Sequence, residues 1–357
     1  MKLIVLIPIT ARSGSEFFQS LLDDHDQIAQ LPGFFYVDEF LTKVRNVKDL
    51  DLIAHIFINS YEEYFDSRLK SEMERHDRLG VNKNEFYIVN KDKFINCFKE
   101  ILKDKKHNNQ NIIQAINLAY AKASGKDISK IKVIILQIHH LHRVHSIKNL
   151  EFDIVFTCRH PLSSISSYID NLAYYKKKIP LPWPFYYNSV RINECFNYLE
   201  KIDKESFLIK LEDLHLNNEN TMKNFCKIFN LEYKKSMTLS TFHNKLWWGD
   251  ACSKKDLNGV NTNFKDKINY KNFFKKDLFI IENKYSFIFN NYNYQKSSND
   301  KNIFKIYYFL PFKFELIIFF KNLINFKIKN IIMSIYYFFK RLLKMKKLKT
   351  ELKLKKI

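Results

Sequence analysis

Leu3-Ile4-Val5-Leu6-Ile7-Pro8-Ile9-Thr10-Ala11-Arg12-Ser13-Gly14-Ser15-Glu16-Phe17 is the stretch from which the rest of this chain is read. Leu3 to Ile9 is a bounded run of Leu, Ile and Val, the pattern of a strand buried on both faces of a parallel sheet. Polar Ala11 to Ser15 follow, and then Phe17, Phe18, Leu21 and Leu22 recur at helical spacing. The order is strand, loop, helix. Such a loop aims successive backbone N–H groups and a helix N-terminus at one point, where their partial positive charge cradles phosphate. Gly14 lets the backbone approach closely, Ser13 and Ser15 add hydroxyl donors, and Arg12 can neutralise a phosphate or charge developing on a bridging oxygen. The G-x-x-x-x-G-K-[ST] pattern of nucleoside triphosphatases is absent. Taken alone, the same residues also suit a polar turn in which Ser13 or Ser15 caps the helix.

The same grammar recurs along the chain. Lys132 to Ile138 reads as a strand ending in His139-His140, and Ile154 to Cys158 as a strand ending in Arg159-His160-Pro161 with helical Ile165 to Leu172 behind it. Ser206 to Leu211 is a fourth strand, and Thr221 to Phe229 a helix with Phe225, Ile228 and Phe229 on one face. Strands alternating with helices predict an α/β fold: a P-loop-like central parallel sheet of right-handed βαβ units, flanked by helices. Leu41 to Lys130 is mostly helical, with a polar break at Lys103 to Asn111, and reads as helices packed around the sheet. Ser297-Ser298-Asn299-Asp300 is a second polar break. It divides residues 1–298, one domain, from 299–357, a basic, aromatic-rich, amphipathic helical tail.

The chain has 357 residues, 46% hydrophobic and 27% charged, with only 6 Gly and 7 Pro, which excludes disordered, collagen-like and linker-rich classes. Its net charge of +21 suggests nucleic acid or an anionic membrane until its position is considered. Residues 301–357 hold fifteen Lys or Arg against Glu315 and Glu351, a balance of +13, which leaves +8 for the first 300. Abundant Lys, Asn, Ile, Phe and Tyr are also what AT-rich codon usage writes, so part of the charge need carry no function. The five cysteines are odd in number, widely spaced and without a C-x-x-C pair, which argues against disulfides and zinc and for a reducing cytosol. No targeting signal is visible, and charges interrupt every apolar run of the tail before it could span a bilayer.

Arg159 at a strand's carboxyl end and Ser167 about two turns into the next helix can converge on one phosphate, in the crevice where doubly wound sheets bind ligands. With the loop at Arg12 this makes two phosphate sites, and hence one bisphosphate ligand. At this point the sequence resembles the sulfotransferases that use 3′-phosphoadenosine-5′-phosphosulfate, in their bacterial, carbohydrate-type branch. The resemblance is carried by the first strand running into Arg12-Ser13-Gly14-Ser15 with Leu21-Leu22-Asp23-Asp24-His25 behind it. It is carried also by Ile154 to Tyr168 as an R-x-P-x5-S segment, Ile209 to Leu214 as a Y-E-D-L segment, and the apolar helix Phe225 to Leu231. It covers roughly Met1 to Tyr294.

The resemblance implies that Arg12 contacts the 5′-phosphosulfate and its bridging oxygen, with Ser13, Gly14 and Ser15 as loop donors. Phe17 falls where an aromatic meets adenine, though it also suits the helix core. Arg159 and Ser167 would hold the 3′-phosphate, and Lys254 to Phe264 matches a late loop closing over the nucleotide. Two departures stand out: Glu16 occupies a position usually Thr or Ser, and Leu211 replaces the Tyr of Y-E-D-L. Sulfuryl transfer also needs a base. His139 matches the catalytic His of the cytosolic branch, with His140 beside it and Glu39 as rival. An H-H-x-H-x-x-H metal cluster through His145 is the less favoured reading, since such enzymes need no metal.

Trp247, Trp248 and Asp250 suit a carbohydrate or glycolipid acceptor, the rings stacking on sugar and the carboxylate accepting hydroxyl bonds; equally, the Trp pair could pack a loop. In the tail, Ile331, Ile332, Ile335, Phe338, Phe339, Leu342 and Leu343 form an apolar stripe with Lys340, Arg341 and Lys344 at its end. That predicts a helix on an anionic membrane surface, a helix docked on the protein's own core, or a solvated basic end; nucleic acid ranks below these. The expected enzyme is therefore cytoplasmic, peripheral to the membrane if the tail binds it. The alternatives are a small-molecule kinase using the same loop, or a basic membrane or nucleic-acid binding protein without catalysis.

Overall fold

The computed structural model describes residues 1–10, 12–69, 76, 78–138, 140–172, 204–249, 258–297, 305–344 and 354–357. The strands are β1 (Lys2–Pro8), β2 (Ile28–Gln30), β3 (Val133–Gln137), β4 (Asp153–Cys158), β5 (Ser206–Lys210), β6 (Thr241–Phe242), β7 (Lys245–Leu246) and β8 (Lys355–Lys356). The helices of the first half are α1 (Ser15–Leu22), α2 (Val37–Val44), α3 (Leu50–Ser60), α4 (Glu62–Phe65), α5 (Lys91–Leu102), α6 (Asn109–Ala123) and α7 (Pro161–Leu172). Those of the second half are α8 (Leu211–Leu216), α9 (Asn218–Ile228), α10 (Lys275–Lys284), α11 (Ser286–Asn291), α12 (Lys313–Ile324) and α13 (Ile328–Lys344).

The fold is α/β. Six strands form a parallel sheet in the order β2-β3-β1-β4-β5-β8, and β6 and β7 form a separate antiparallel hairpin. β1 lies in the middle, in register with β3 through Ile4 and Ile135 and with β4 through Ile4 and Asp153. Successive side chains of a strand leave opposite faces, so Leu3, Val5 and Ile7 enter one core and Ile4 and Leu6 the other. A strand with a core on each side has to be apolar throughout, which is why the run is continuous.

The helices divide accordingly. α1 and α9 cover one face through Phe18, Leu21, Leu22, Met222 and Phe225, while α2 to α7 and α10 to α12 contribute to the larger core on the other. The four expected strands and the helix near Thr221 appear within a few residues of where the hydrophobic pattern puts them. β2 and β8 were not expected: β2 is only three residues, and β8 consists of two lysines from the tail. The tail is also not separate from the rest, because Phe312, Phe314 and Ile318 are buried in the main core and Asp277 of α10 accepts the Lys313 N–H. Its polar break at Ser298 to Asp300 lies outside the described residues.

Phe225 is wholly buried, edge-on to Phe18 at 5.2 Å and tilted against Phe229 at 4.9 Å. Phe225→Ala should lower unfolding free energy by about 3–5 kcal/mol, the usual cost of such a cavity, and urea denaturation followed by circular dichroism measures it.

Candidate nucleotide site

In a doubly wound sheet, ligands bind beyond the carboxyl ends of adjacent strands whose following connections leave in opposite directions. Here those strands are β1, which runs on toward β2 at one edge, and β4, which runs on toward β5 at the other. The loop after β1 lies over this point. Ile9 N–H donates to the Thr157 carbonyl (2.9 Å), and the Ser13 hydroxyl meets the Thr157 hydroxyl at 2.9 Å, both groups fully buried. Ser15 Oγ accepts from Gln137 Nε2 of β3 at 3.2 Å. Neither serine caps α1. The N-cap is Gly14, with no side-chain cap.

Gly14 is required on two counts. Its φ is +82°, a left-handed conformation that costs an L side chain free energy, and a Cβ there would lie 2.5 Å from Leu211 Cδ1. Arg12 also has positive φ, +56°, and a half-buried side chain. A non-glycine residue in that region is strained and needs its surroundings to hold it.

Phe17 opens a stack of three rings. It lies on His215 with centroids 4.4 Å apart, and His215 lies on Phe264 at 4.5 Å. The Asn261 N–H donates to His215 Nδ1 at 3.2 Å. Residues 258–264 thus return to the start of α1, while 254–257 of the late loop lie outside the described residues. His215 carried no signal in the sequence, since nothing local marks it as the middle of a stack.

Arg159 stands at the carboxyl end of β4 as expected, and it is already paired. Its Nε and Nη2 both lie 2.8 Å from Asp266 Oδ1, and its guanidinium carbon is 5.9 Å from the Phe264 ring centre. Behind the pair, Glu212 Oε1 accepts the His160 N–H (2.9 Å) and Glu212 Oε2 accepts the Tyr294 hydroxyl (3.0 Å). Burial, then the hydrogen bond and charge of Asp266, push the Glu212 carboxyl up to about 8. Burial opposes charge on Asp266 as well, but the Glu212 hydrogen bond and Arg159 hold it below the ordinary carboxylate range. The proton of the pair thus favours Glu212 and the negative charge favours Asp266, beside Arg159. Burial lowers the His160 imidazole, whose Nε2 meets the Gln295 carbonyl at 3.1 Å. Asp266 lies 107 residues from Arg159 between two lysines, so no local pattern pointed to it.

Ser167 is half-buried on α7; its neighbour Ser166 accepts the Asn269 N–H at 2.9 Å. Glu39 sits on α2, next to the end of β3, where the Phe35 N–H donates to the Gln137 carbonyl. Its carboxylate is engaged: Arg143 Nη1 lies 2.8 Å from both Asp38 and Glu39. His139 and Asp250 lie outside the described residues.

The two tryptophans offered for the acceptor differ in their surroundings. Trp247 is buried against Phe242 (5.1 Å) and bridges to Leu79, because the β6–β7 hairpin needs an apolar anchor. Trp248 donates its indole N–H to the Gly80 carbonyl (2.7 Å) and has Lys83 over its ring at 4.7 Å. Both pin the hairpin to residues 79–83. An open groove of about 1220 Å³, lined by Lys2, Asn108, Glu151, Asp153 and Glu205, lies at the amino edge of the sheet, opposite the converging loops.

No family model matches the sequence, and no curated protein matches it. Among solved structures, a sulfotransferase domain from the curacin biosynthetic pathway is similar over 76% of this chain and 88% of that domain, with a TM-score of 0.37 and 12% identity. That likeness supplies no residue correspondence, and the site is read from its own geometry.

The fold keeps the Glu212 proton up to about 8, whereas the ordinary value is 4.5. Between those values the folded state holds the extra proton, so this group's contribution to stability falls as pH rises through the window and is level above it. Glu212→Gln should remove that fall, on the order of 5 kcal/mol across the window at about 1.4 kcal/mol per pH unit. Urea midpoints of both proteins measured through it would show parallel profiles if the assignment is wrong.

Proposed function

We propose that the chain is a sulfotransferase that moves the sulfuryl group of 3′-phosphoadenosine-5′-phosphosulfate to a hydroxyl acceptor. The observation that supports it best is the buried Ser13–Thr157 hydrogen bond. It holds the uncapped start of α1 against β4, two residues before Arg159, so that two phosphate-binding elements share one crevice. A ligand with phosphates at both ends of a ribose suits that spacing.

In this reading the 5′-phosphosulfate lies on the α1 amides with Ser13, Gly14 and Ser15 around it. The acceptor oxygen attacks sulfur in line, the bond from sulfur to the bridging oxygen breaks, and its electron pair remains on the departing phosphate. Arg12 neutralises that charge. The hydroxyl proton passes to a base, for which His139 and Glu39 are the candidates; Glu39 serves only if its pair with Arg143 loosens. The 3′-phosphate is held by Arg159 and Ser167, with Asp266 orienting the guanidinium through Nε and Nη2 and Nη1 turned to the ligand. Adenine stacks on the face of Phe17 away from His215. The acceptor is a hydroxyl compound; a glycan or glycolipid would meet Trp248 and Asp250 rather than the enclosed Trp247.

Arg159→Ala should weaken binding of adenosine 3′,5′-bisphosphate by about 2–4 kcal/mol without loss of fold. Calorimetry on the wild type and variant, with ATP in parallel, decides: unchanged affinity removes the 3′-phosphate site, and preference for ATP favours a kinase. Arg12→Ala should lower turnover at least about a hundredfold with a smaller effect on product binding. His139→Ala and Glu39→Ala assayed together identify the base, and near-normal turnover in both would exclude the pair.

A further inference from the structure

Helices α12 and α13 form a hairpin whose polarity is reversed for a surface in water. Four of its polar residues, Glu315, Asn322, Ser334 and Arg341, are buried. Arg341, with no solvent exposure, pairs with buried Glu315 through Nε to Oε1 (2.6 Å) and Nη2 to Oε2 (2.9 Å), and donates from Nη2 to the Leu310 carbonyl (3.2 Å). Farther along the seam, Asn330 Nδ2 donates to Asn322 Oδ1 (3.4 Å) and Ser334 Oγ to the Asn330 carbonyl (2.7 Å). The sequence pattern had Arg341 at the basic end of an apolar stripe. Instead it is enclosed between the Phe312 and Phe338 rings, because Glu315 is the one carboxylate in 313–344 and faces it.

Many of its apolar residues are on the outside. Ile317, Phe320 and Ile324 of α12, and Ile332, Phe339 and Leu343 of α13, are between 51% and 74% exposed, and Phe326 at the turn is 88% exposed. So many large apolar side chains exposed on two paired helices are unusual on a monomer in water and mark a contact. A buried ion pair and polar seam beneath exposed apolar side chains is the arrangement that an apolar medium favours.

We infer that this hairpin docks flat on an anionic lipid bilayer, its apolar face in the acyl boundary and its lysines at the headgroups. Charge selects the occupant. Residues 313–344 carry six lysines, and Glu315 is consumed by Arg341, so the rim is uniformly cationic, with Lys321, Lys327 and Lys329 exposed around the turn. A second copy docking through the same face would bring like charges together, whereas anionic headgroups neutralise them. No helix among the described residues is long and apolar enough to cross a membrane, and α12, at 12 residues, extends about 18 Å. The contact therefore lies along the interface and does not span it.

The test uses the full chain, sedimented with phosphatidylcholine vesicles with and without phosphatidylserine. Binding should require phosphatidylserine, weaken with salt, and drop at least about tenfold in Ile332→Glu/Phe339→Glu, whose exposed side chains leave the melting curve unchanged. A second variant, Phe339→Trp, should show a blue-shifted indole emission on adding the anionic vesicles. The inference is overturned if the wild type does not bind them or the double variant binds equally. It is also overturned if sedimentation velocity shows a dimer that the double variant abolishes while vesicles bind neither protein.

Discussion

Parallel pairing of β1 with β3 on one side and β4 on the other is the constraint on which the rest depends. It places the loop after β1 at the point where connections diverge, and it requires apolar side chains on both faces of β1, hence a helical layer on each. The Ser13–Thr157 bond is the local expression of that pairing. Had the serine capped α1 instead, the amides at the helix start would be spent internally. With the hydroxyl drawn to β4, the helix begins on a glycine without a side-chain cap.

Around that opening the charges are balanced in advance. Arg159, Asp266 and Glu212 form a half-buried set in which Glu212 favours its proton and Asp266 its charge, so the guanidinium is paired without a surplus anion. A buried arginine left alone would be costly, whereas one braced along one edge offers its other edge in a defined direction. The His160 N–H and Tyr294 hydroxyl complete the brace, which joins β4, α8 and the segment after α11 into one support.

The C-terminal hairpin also rests on a paired arginine and carboxylate. Arg341 and Glu315 are a fully enclosed pair between the two helices, and several large apolar side chains of the same helices stay exposed. The enclosed pair fixes which face is bare. Phe312, Phe314 and Ile318 anchor the start of the hairpin in the main core, so the bare face is held on a rigid body rather than on a loose tail.

Periodicity along the chain determined what depends on neighbours in sequence. The continuous run at Leu3, the strand at Ile154 ending in Arg159, the helix around Phe225 and the helical character of 328–344 were all legible, since burial on one or two faces writes period 3.6 or an unbroken apolar stretch. Tertiary structure alone decided what depends on partners far along the chain. Asp266 reaches Arg159 across 107 residues, His215 gains ring partners from two distant segments, and two tail lysines complete the sheet edge. Trp247 and Arg341 carry the physical reason. An indole beside a glycine can face a sugar or a core, and an arginine at the end of an apolar stripe can face lipid or a carboxylate. Local pattern records what a side chain is able to contact, and only the packed chain decides which contact is within reach.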